Sequence, residues 1–226
     1  MQNMVSRLAQ VSKLPEMDES ALKAFRKALR EQSIAAREAM DLHEHAAKAE
    51  SICNSLAAVI ARMQPRRLGF CGPFRGEVDV RAEVARWLAQ DATRIAALPV
   101  VMAPRTPMTF RRWLPGCAMV ADVYGIEIPA AAESVVPDCL VLPLVAFDDA
   151  GYRLGYGAGY FDRTIEALAA SGPRPTVIGI GFECVRCPTI HPQPYDAPLD
   201  WLITEAGIFA RDGAVMRPAQ DSADRC

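Results

Sequence analysis

The stretch that decides the fold is CLVLPLVAFDDAGYRLGYGAGYFDR, which occupies residues 139–163. Its opening segment, residues 139–147, is continuously apolar, as expected for a strand that is covered on both faces. Residues 148–151 (DDAG) predict a turn after this strand. Glycines then alternate with other residues over 155–159, and a helix is predicted over 162–170. A buried strand, a glycine-rich loop and a helix in this order indicate α/β organisation.

Outward from this stretch, short apolar runs alternate with helical patterns, which is the rhythm of an α/β fold. Upstream, Asp18 can cap one helix, and Asp41 with Glu44 has the spacing of a capping box for a second helix that ends before Pro65. The other predicted elements are strands at 67–71, 95–102, 108–113, 176–182 and 201–204, and a helix at 79–91 that begins with Asp79 as its cap.

The ends of the chain lack a sustained hydrophobic period, and no internal repeat or long linker divides the rest. We therefore expect a loose N-terminal leader over 1–17, a single domain over 18–210 and a disordered tail over 211–226. No apolar run approaches the roughly 18 to 20 residues of a membrane span, and the first residues lack the apolar core of a signal peptide. These features predict a cytoplasmic protein that does not enter a membrane.

Charge and cysteine content narrow the classes of partner. The 226 residues carry 25 Lys and Arg against 27 Asp and Glu, a formal net charge of -2, which argues against a nucleic-acid binder that depends on a basic surface. We expect a monomer with a small-molecule partner. The 7 cysteines are an odd number without a disulfide pattern, which favours reduced thiols. Cys184, Cys187 and His191 have metal-like spacing but lack a second ligand pair, so a zinc or redox module is the minor alternative.

The glycine loop carries the chemical signal. Glycines at 155, 157 and 159 allow backbone N–H groups to approach a ligand, and a following helix N-terminus favours an anion, so the loop predicts a phosphate cradle. Arg153 and Arg163 flank it and could donate forked hydrogen bonds to phosphate oxygens. A tight glycine turn with surface arginines is the alternative interpretation.

The acid at the start of the predicted helix also bears on whether the loop binds a phosphate. Asp162 would repel a phosphate unless a cation such as Mg²⁺ lay between them, although an acid there can also simply complement the helix dipole. The loop comes too late in the chain for a dinucleotide-binding fingerprint, and no GxxxxGK[ST] motif is present.

Residues 143–163 resemble the signature of the 5-formyltetrahydrofolate cyclo-ligase family, whose members are also called 5,10-methenyltetrahydrofolate synthetases. The resemblance implies a three-layer α/β/α sandwich with a mainly parallel central sheet. It also implies ATP- and Mg²⁺-dependent cyclisation of 5-formyltetrahydrofolate, in which the formyl oxygen is phosphorylated before ring closure, with release of ADP and phosphate. The resemblance covers residues 22–208 and includes GEVD at 76–79, LP at 98–99, MTF at 108–110, PD at 137–138, DAPLD at 196–200 and TE at 204–205.

The resemblance also implies roles for individual residues. Asp162 and Asp196 are implied to bind Mg²⁺, with Asp200 as the competing choice for the second acid, and Arg153 and Tyr160 are implied to be catalytic. Glu77 is implied to bind the folate, in its plain or its polyglutamylated form, together with Tyr156, Gly157, Ala158, Gly159 and Tyr160. ATP is implied to contact Arg26, Arg30, Arg153, Leu154, Gly155, Tyr156, Gly157, Ala158, Gly159, Tyr160 and Phe161.

The first helix departs from the family pattern, which has a Lys four residues before an Arg. Here Arg30 matches the Arg, but position 26 is Arg and the Lys follows at position 27. Residues four apart share a helical face, so we assign the role to Arg26 rather than to Lys27. Without the resemblance, these basic residues would be interpreted as a solvated face. A folate- or nucleotide-binding paralogue that has lost turnover is the alternative function.

Overall fold

The computed structural model describes residues 17–122 and 125–219. Within these ranges the chain forms four α-helices and twelve strands. The helices are α1 (Glu19–Glu38), α2 (Leu42–Met63), α3 (Arg81–Ala89) and α4 (Tyr160–Ser171). The strands are β1 (Arg67–Phe70), β2 (Ile95–Val100), β3 (Thr109–Trp113), β4 (Met119–Ala121), β5 (Glu127–Pro129), β6 (Cys139–Pro143), β7 (Ala146–Phe147), β8 (Arg153–Leu154), β9 (Thr176–Ile180), β10 (Trp201–Thr204), β11 (Gly207–Asp212) and β12 (Val215–Pro218).

Eight strands form the central sheet, in the order β12-β11-β10-β9-β6-β1-β2-β3. The five inner strands, from β10 to β2, pair in parallel. Antiparallel strands close both edges, because β3 pairs with β2 on one side and β11 and β12 follow β10 on the other. The remaining strands form two small antiparallel pairs, β4 with β5 and β7 with β8. The expected mainly parallel sheet is therefore confirmed.

Alternate residues of the inner strands face two different layers of helices, as the pleat of a strand requires. Val141 of β6 packs in one core cluster with Leu56 of α2 and Trp87 of α3. Its neighbour Leu142 packs in a second cluster with Ile165 of α4. Helices thus cover both faces of the sheet, and the three-layer sandwich is confirmed.

Local side-chain chemistry determines where the first two helices begin. The Asp18 carboxylate accepts a hydrogen bond from the Ala21 N–H, and the Asp41 carboxylate accepts from the His43 and Glu44 N–H groups. Both N-caps agree with the sequence prediction.

Two later helices begin at other residues than predicted. The third begins at Arg81 rather than at 79, because the Asp79 carboxylate bonds the Arg81 N–H within a turn that precedes the helix. The fourth begins at Tyr160 instead of 162, since Gly159 adopts the left-handed conformation at its N-cap.

The apolar segment 139–147 was expected to be one strand, and this was wrong. The central strand β6 ends at Pro143, and β7 belongs to a separate pair with β8. The chain leaves the main sheet where the Val145 N–H donates to the Leu154 carbonyl. Both parts are buried, so continuous apolarity did not mark the break between them.

The prediction of a disordered tail from residue 211 is wrong for residues 211–218. The strand β11 continues to Asp212, and β12 pairs with it in antiparallel after a turn in which Gly213 has a positive φ of 61°. Met216 of β12 packs against the second core cluster, which the polar composition of the segment did not indicate. Residues 220–226, and residues 1–16 of the expected leader, lie outside the described residues. Among the described residues, no helix is long and apolar enough to cross a membrane.

Candidate functional site

The glycine loop connects β8 to the N-terminus of α4 on the surface of the molecule. Residues 155–158 are exposed, and Gly157 and Gly159 have positive φ values of 103° and 66°. Among the residues that the structure describes, none accepts a hydrogen bond from the backbone N–H groups of Tyr156, Gly157 or Ala158. The loop therefore offers unused donors beside a helix N-terminus, which is the arrangement that binds phosphate in other proteins.

Two arginines of α1 lie beside this loop. Arg30 donates from Nε to the Gly155 carbonyl oxygen over 2.7 Å, and a Cβ added at Gly157 would lie only 3.3 Å from the Arg30 Cζ. Arg26, one turn earlier, bonds the carbonyl oxygens of Ile190 and His191. Burial, followed by repulsion from Arg26, lowers the pKa of Arg30. Two neighbouring guanidinium groups that repel each other favour the arrival of an anion.

Two acids complete this side of the site. Asp162 of α4 accepts from Arg153 Nη2 at 2.9 Å and from the Ala197 N–H at 3.0 Å. Asp196, the residue before Ala197, forms an ion pair with Arg26 and accepts from the Gln193 N–H at 2.7 Å. The two predicted metal acids are thus held next to each other.

Each of these carboxylates uses only one of its oxygens in the hydrogen bonds that the structure describes. Those bonds end on Oδ1 of Asp162 and on Oδ2 of Asp196, which leaves the second oxygen of each acid free within the described residues. The competing residue, Asp200, instead accepts from Arg174 Nη1 at 2.6 Å and from the Val177 N–H at 2.8 Å. It caps the start of β9, and the structure does not bring it to Arg26.

A second set of polar groups, in which Glu77 and Arg37 are buried and Tyr156 is exposed, adjoins the loop at the C-terminal end of α1. The Tyr156 hydroxyl donates to Glu77 Oε1 at 2.8 Å, and the Phe74 N–H donates to Glu77 Oε2 at 3.0 Å. The Phe74 ring meets the Tyr156 ring edge-on, with centroids 5.4 Å apart. Arg37 Nη2 donates to the Tyr156 hydroxyl at 3.0 Å. Tyr156 therefore joins the glycine loop to Glu77.

Burial dominates the electrostatics of this second set. It raises the pKa of Glu77, while the hydrogen bond from Tyr156 and the charge of Arg37 act in the opposite direction. Burial and the adjacent Glu77 also raise the pKa of Tyr156 above its ordinary value, so the hydroxyl remains a donor at neutral pH. The site thus contains a carboxylate of raised basicity beside a fixed O–H group.

The other predicted contact residues differ in how far they are accessible. Arg153 is buried, and its guanidinium donates hydrogen bonds to Asp162 and to the Ala197 carbonyl oxygen. Leu154 is buried among apolar side chains, so only its backbone is available to a ligand. Phe161 packs against the second core cluster, whereas the Tyr160 ring lies 5.6 Å below the guanidinium of Arg163.

The sequence model of the 5-formyltetrahydrofolate cyclo-ligase family matches residues 22–205. The chain belongs to this family. A 5-formyltetrahydrofolate cyclo-ligase from Haemophilus influenzae is 30% identical over 165 residues, which cover 70% of this chain and 85% of the relative. One from Escherichia coli K12 is 28% identical over 142 residues, which cover 60% of this chain and 76% of the relative.

Two solved structures share the fold of this chain. The 5,10-methenyltetrahydrofolate synthetase of Aquifex aeolicus superposes with a TM-score of 0.69 at 24% identity, covering 89% of this chain and 100% of that one. That of Mycoplasma pneumoniae gives a TM-score of 0.62 at 24% identity, covering 80% and 98%. The expected family, fold class and enzyme class are confirmed.

Sequence reasoning missed one residue of this candidate site. Arg37 is 2% exposed and contacts both Tyr156 and Glu77, yet it was not among the predicted residues. A signal was available, because Arg37 follows Arg30 by seven residues, and residues two turns apart lie on the same face of a helix.

The cysteine pair does not form a metal cluster. Cys184 is exposed, whereas Cys187 is buried and its Sγ donates to the Phe147 carbonyl oxygen at 3.3 Å. Across residues 17–122 and 125–219, no group of three or more His, Cys, Asp or Glu side chains is arranged to hold a metal ion. The minor zinc interpretation therefore has no support from the geometry.

Proposed function

We propose that this chain catalyses the ATP- and Mg²⁺-dependent ring closure of 5-formyltetrahydrofolate to 5,10-methenyltetrahydrofolate, with release of ADP and phosphate. Membership of the cyclo-ligase family supports the reaction class. The observation that carries the proposal is the continuity of the site, in which Tyr156 links an arginine-flanked glycine loop to the buried acid Glu77. A reaction between a nucleotide and a folate requires two adjoining subsites of this kind.

The residues present fit a nucleoside triphosphate with its metal ion. The unused N–H groups of the glycine loop, Arg26 and Arg30 supply donors and positive charge for phosphate oxygens. Asp162 and Asp196 each retain a free carboxylate oxygen, and Mg²⁺ commonly takes one or two carboxylates together with phosphate oxygens. When bound, Mg-ATP supplies the phosphoryl group that makes the formyl oxygen a leaving group.

The chain itself mainly orients the reactants and neutralises their charge, and the reaction needs no protein nucleophile. Arg153 fixes the orientation of Asp162, which is how we propose that this buried arginine contributes to catalysis. Tyr160, the first residue of α4, stands where the glycine loop meets the helix and is proposed as the second catalytic residue. Leu154 and Phe161 are proposed to contact ATP through their backbone.

On the folate side, we propose that Glu77 and residues 156–160 bind the substrate.

Asp196 is preferred over Asp200 as the second metal acid, because it adjoins Asp162 and pairs with Arg26. The monomeric state, the cytoplasmic location, the use of polyglutamylated folate and the absence of nucleic-acid and membrane partners remain predictions from the sequence.

An absorbance assay tests the proposed reaction. Purified protein with Mg-ATP and 5-formyltetrahydrofolate should generate the near-ultraviolet absorbance of the methenyl product. Omission of ATP, or chelation of Mg²⁺, should abolish the signal. If no signal develops at high protein concentration while the substrate still binds, the chain is a binding protein and the proposed function is wrong.

A further inference from the structure

Arg37 is mounted rigidly in the last turn of α1. Its Nε donates to the Arg75 carbonyl oxygen and its Nη1 to the Leu144 carbonyl oxygen, both over 2.9 Å. These two bonds anchor the planar guanidinium to the loop after β1 and to the chain beyond β6. The remaining nitrogen, Nη2, lies 3.0 Å from the Tyr156 hydroxyl and 3.8 Å from Glu77 Oε1. One buried cation thus faces both groups.

The Glu77 carboxylate is held from both ends. Oε1 accepts the Tyr156 O–H at 2.8 Å, and Oε2 accepts the Phe74 N–H at 3.0 Å. A carboxylate oxygen has two acceptor sites, so each oxygen can still accept a hydrogen bond from a ligand. The Tyr156 hydroxyl is oriented by Arg37, from which it accepts. Arg37 therefore orients the hydroxyl that holds Oε1, whereas Oε2 is held by the backbone of its own loop.

We propose that Arg37 is a positioning residue for folate binding, which holds the Glu77 carboxylate and the Tyr156 hydroxyl as one rigid acceptor for the N–H groups of the reduced pteridine ring. The inference rests on the proposed function. Arg37 touches no substrate and acts through Glu77. Its loss should weaken folate binding and leave ATP binding nearly unchanged, because Arg37 does not contact Arg30, Asp162 or Asp196 in the structure.

The charges around Glu77 give the proposal a pH signature. The charged and titratable groups that face it are Arg37 of α1, Tyr156 of the glycine loop and Cys71 after β1. The Arg75 side chain of the same loop pairs with Glu38 instead, and His45 of α2 bonds the Gly76 carbonyl. Burial already raises the pKa of Glu77, and Arg37 opposes that rise. Removal of Arg37 should raise the pKa of Glu77 further and move the loss of folate affinity to a higher pH.

The first experiment compares Arg37→Met and Arg37→Lys with the unsubstituted enzyme, with folate and ATP varied separately. Arg37→Met should raise KM for 5-formyltetrahydrofolate at least about tenfold and KM for ATP less than about twofold. The acid limb of kcat/KM for folate should move to higher pH, and Arg37→Lys should restore part of it. The matched control is Arg75→Met, which removes a cation of the same loop whose side chain pairs with the exposed Glu38. It should leave both KM values within about twofold.

The second experiment is a double-mutant cycle with Glu77→Gln. If Arg37 acts through Glu77, Arg37→Met should change KM for folate less than about twofold in the Glu77→Gln background. An equal loss in both backgrounds, or equal rises in KM for folate and ATP, would overturn the proposal. Arg37→Lys serves in the same cycle if Arg37→Met does not fold.

The same cycle separates this inference from the proposed function. If the unsubstituted chain gives no product, the proposed function fails, and the cycle is then measured on the dissociation constant of 5-formyltetrahydrofolate. Coupling between Arg37 and Glu77 in that constant would support the positioning role without turnover. Absence of coupling, or of any folate binding, would refute it.

Discussion

The guanidinium of Arg26 forms an ion pair with the carboxylate of Asp196, although 170 positions separate the two residues in sequence. Both side chains are largely buried, and Arg26 also donates to the backbone carbonyls of Ile190 and His191. The pair therefore ties the first helix to the segment before β10 and brings a proposed phosphate ligand beside a proposed metal ligand.

Arg26→Met should destabilise the fold as well as weaken ATP binding. Removing one partner of a buried ion pair leaves the other charge without compensation and typically costs about 3 kcal/mol. Urea denaturation at neutral pH measures the loss. The control is Arg217→Met, because the pair of Arg217 with Asp212 is exposed and its loss should cost less than about 1 kcal/mol. Equal losses of unfolding free energy in the two variants would contradict the stabilising role of the buried ion pair.

Asp162→Asn should reduce Mg²⁺-dependent turnover on the order of 100-fold while the fold is retained. The amide keeps a hydrogen-bond acceptor for Arg153 and the Ala197 N–H, but it is a poor ligand for Mg²⁺. Initial rates over a Mg²⁺ titration test this expectation, and Asp212→Asn is the matched control on the surface. Unchanged kinetics in Asp162→Asn would reduce this acid to a residue that complements the helix dipole.

Two glycines of the same loop should respond differently to alanine. Gly157 has a φ of 103°, and a Cβ there would lie 3.3 Å from the Arg30 Cζ, so Gly157→Ala should cost about 2 kcal/mol and raise KM for ATP. A Cβ at Gly155 meets no atom within 4 Å, and Gly155→Ala should be tolerated. Thermal denaturation and ATP saturation curves compare them, and the reverse order would refute the loop geometry.

The raised pKa of Glu77 predicts how stability depends on pH. A folded-state pKa above the unfolded value means that the native state retains a proton that the unfolded state has released. The contribution of Glu77 to stability should be full below the ordinary Glu pKa and decline as pH rises through the raised value. Urea titrations of the unsubstituted chain and Glu77→Gln at several pH values isolate this change, which should be absent from the variant. A difference that grows with pH in favour of Glu77 would contradict the prediction.

The core also allows a matched test of stability. Leu142 of β6 is buried between the sheet and α4, whereas Leu42 at the start of α2 is 84% exposed. Leu142→Ala should lose about 3 kcal/mol of unfolding free energy, and Leu42→Ala about 0.5 kcal/mol or less. Chemical denaturation measures the unfolding free energy of both variants. Comparable losses would argue against the placement of Leu142 between the sheet and α4.

Elements whose cause is local were predictable from the sequence. The caps at Asp18 and Asp41 depend on residues within three positions of each acid, and the shared face of Arg26 and Arg30 follows from helix geometry. Lys27 illustrates the same rule, because its side chain is exposed and pairs with Glu31 on the neighbouring face.

Elements that depend on distant partners were not predictable in this way. The strand break after Pro143 depends on the pairing of β7 with β8, and β12 is held partly by Met216, whose N–H donates to the Asp149 carbonyl. Arg37 obtains its importance from partners 38 to 119 positions away in the chain. Composition and periodicity describe a segment alone and do not contain such contacts.

The first helix sets the length of the site. Arg26 and Arg37 are eleven positions apart on one uninterrupted helix, so their Cα atoms are separated by roughly 16 Å at a rise of about 1.5 Å per residue. One arginine stands at the end proposed for phosphate and the other at the end proposed for the pteridine ring. The helix therefore fixes the distance between the proposed binding sites of two chemically different ligands, independently of the conformation of the surrounding loops.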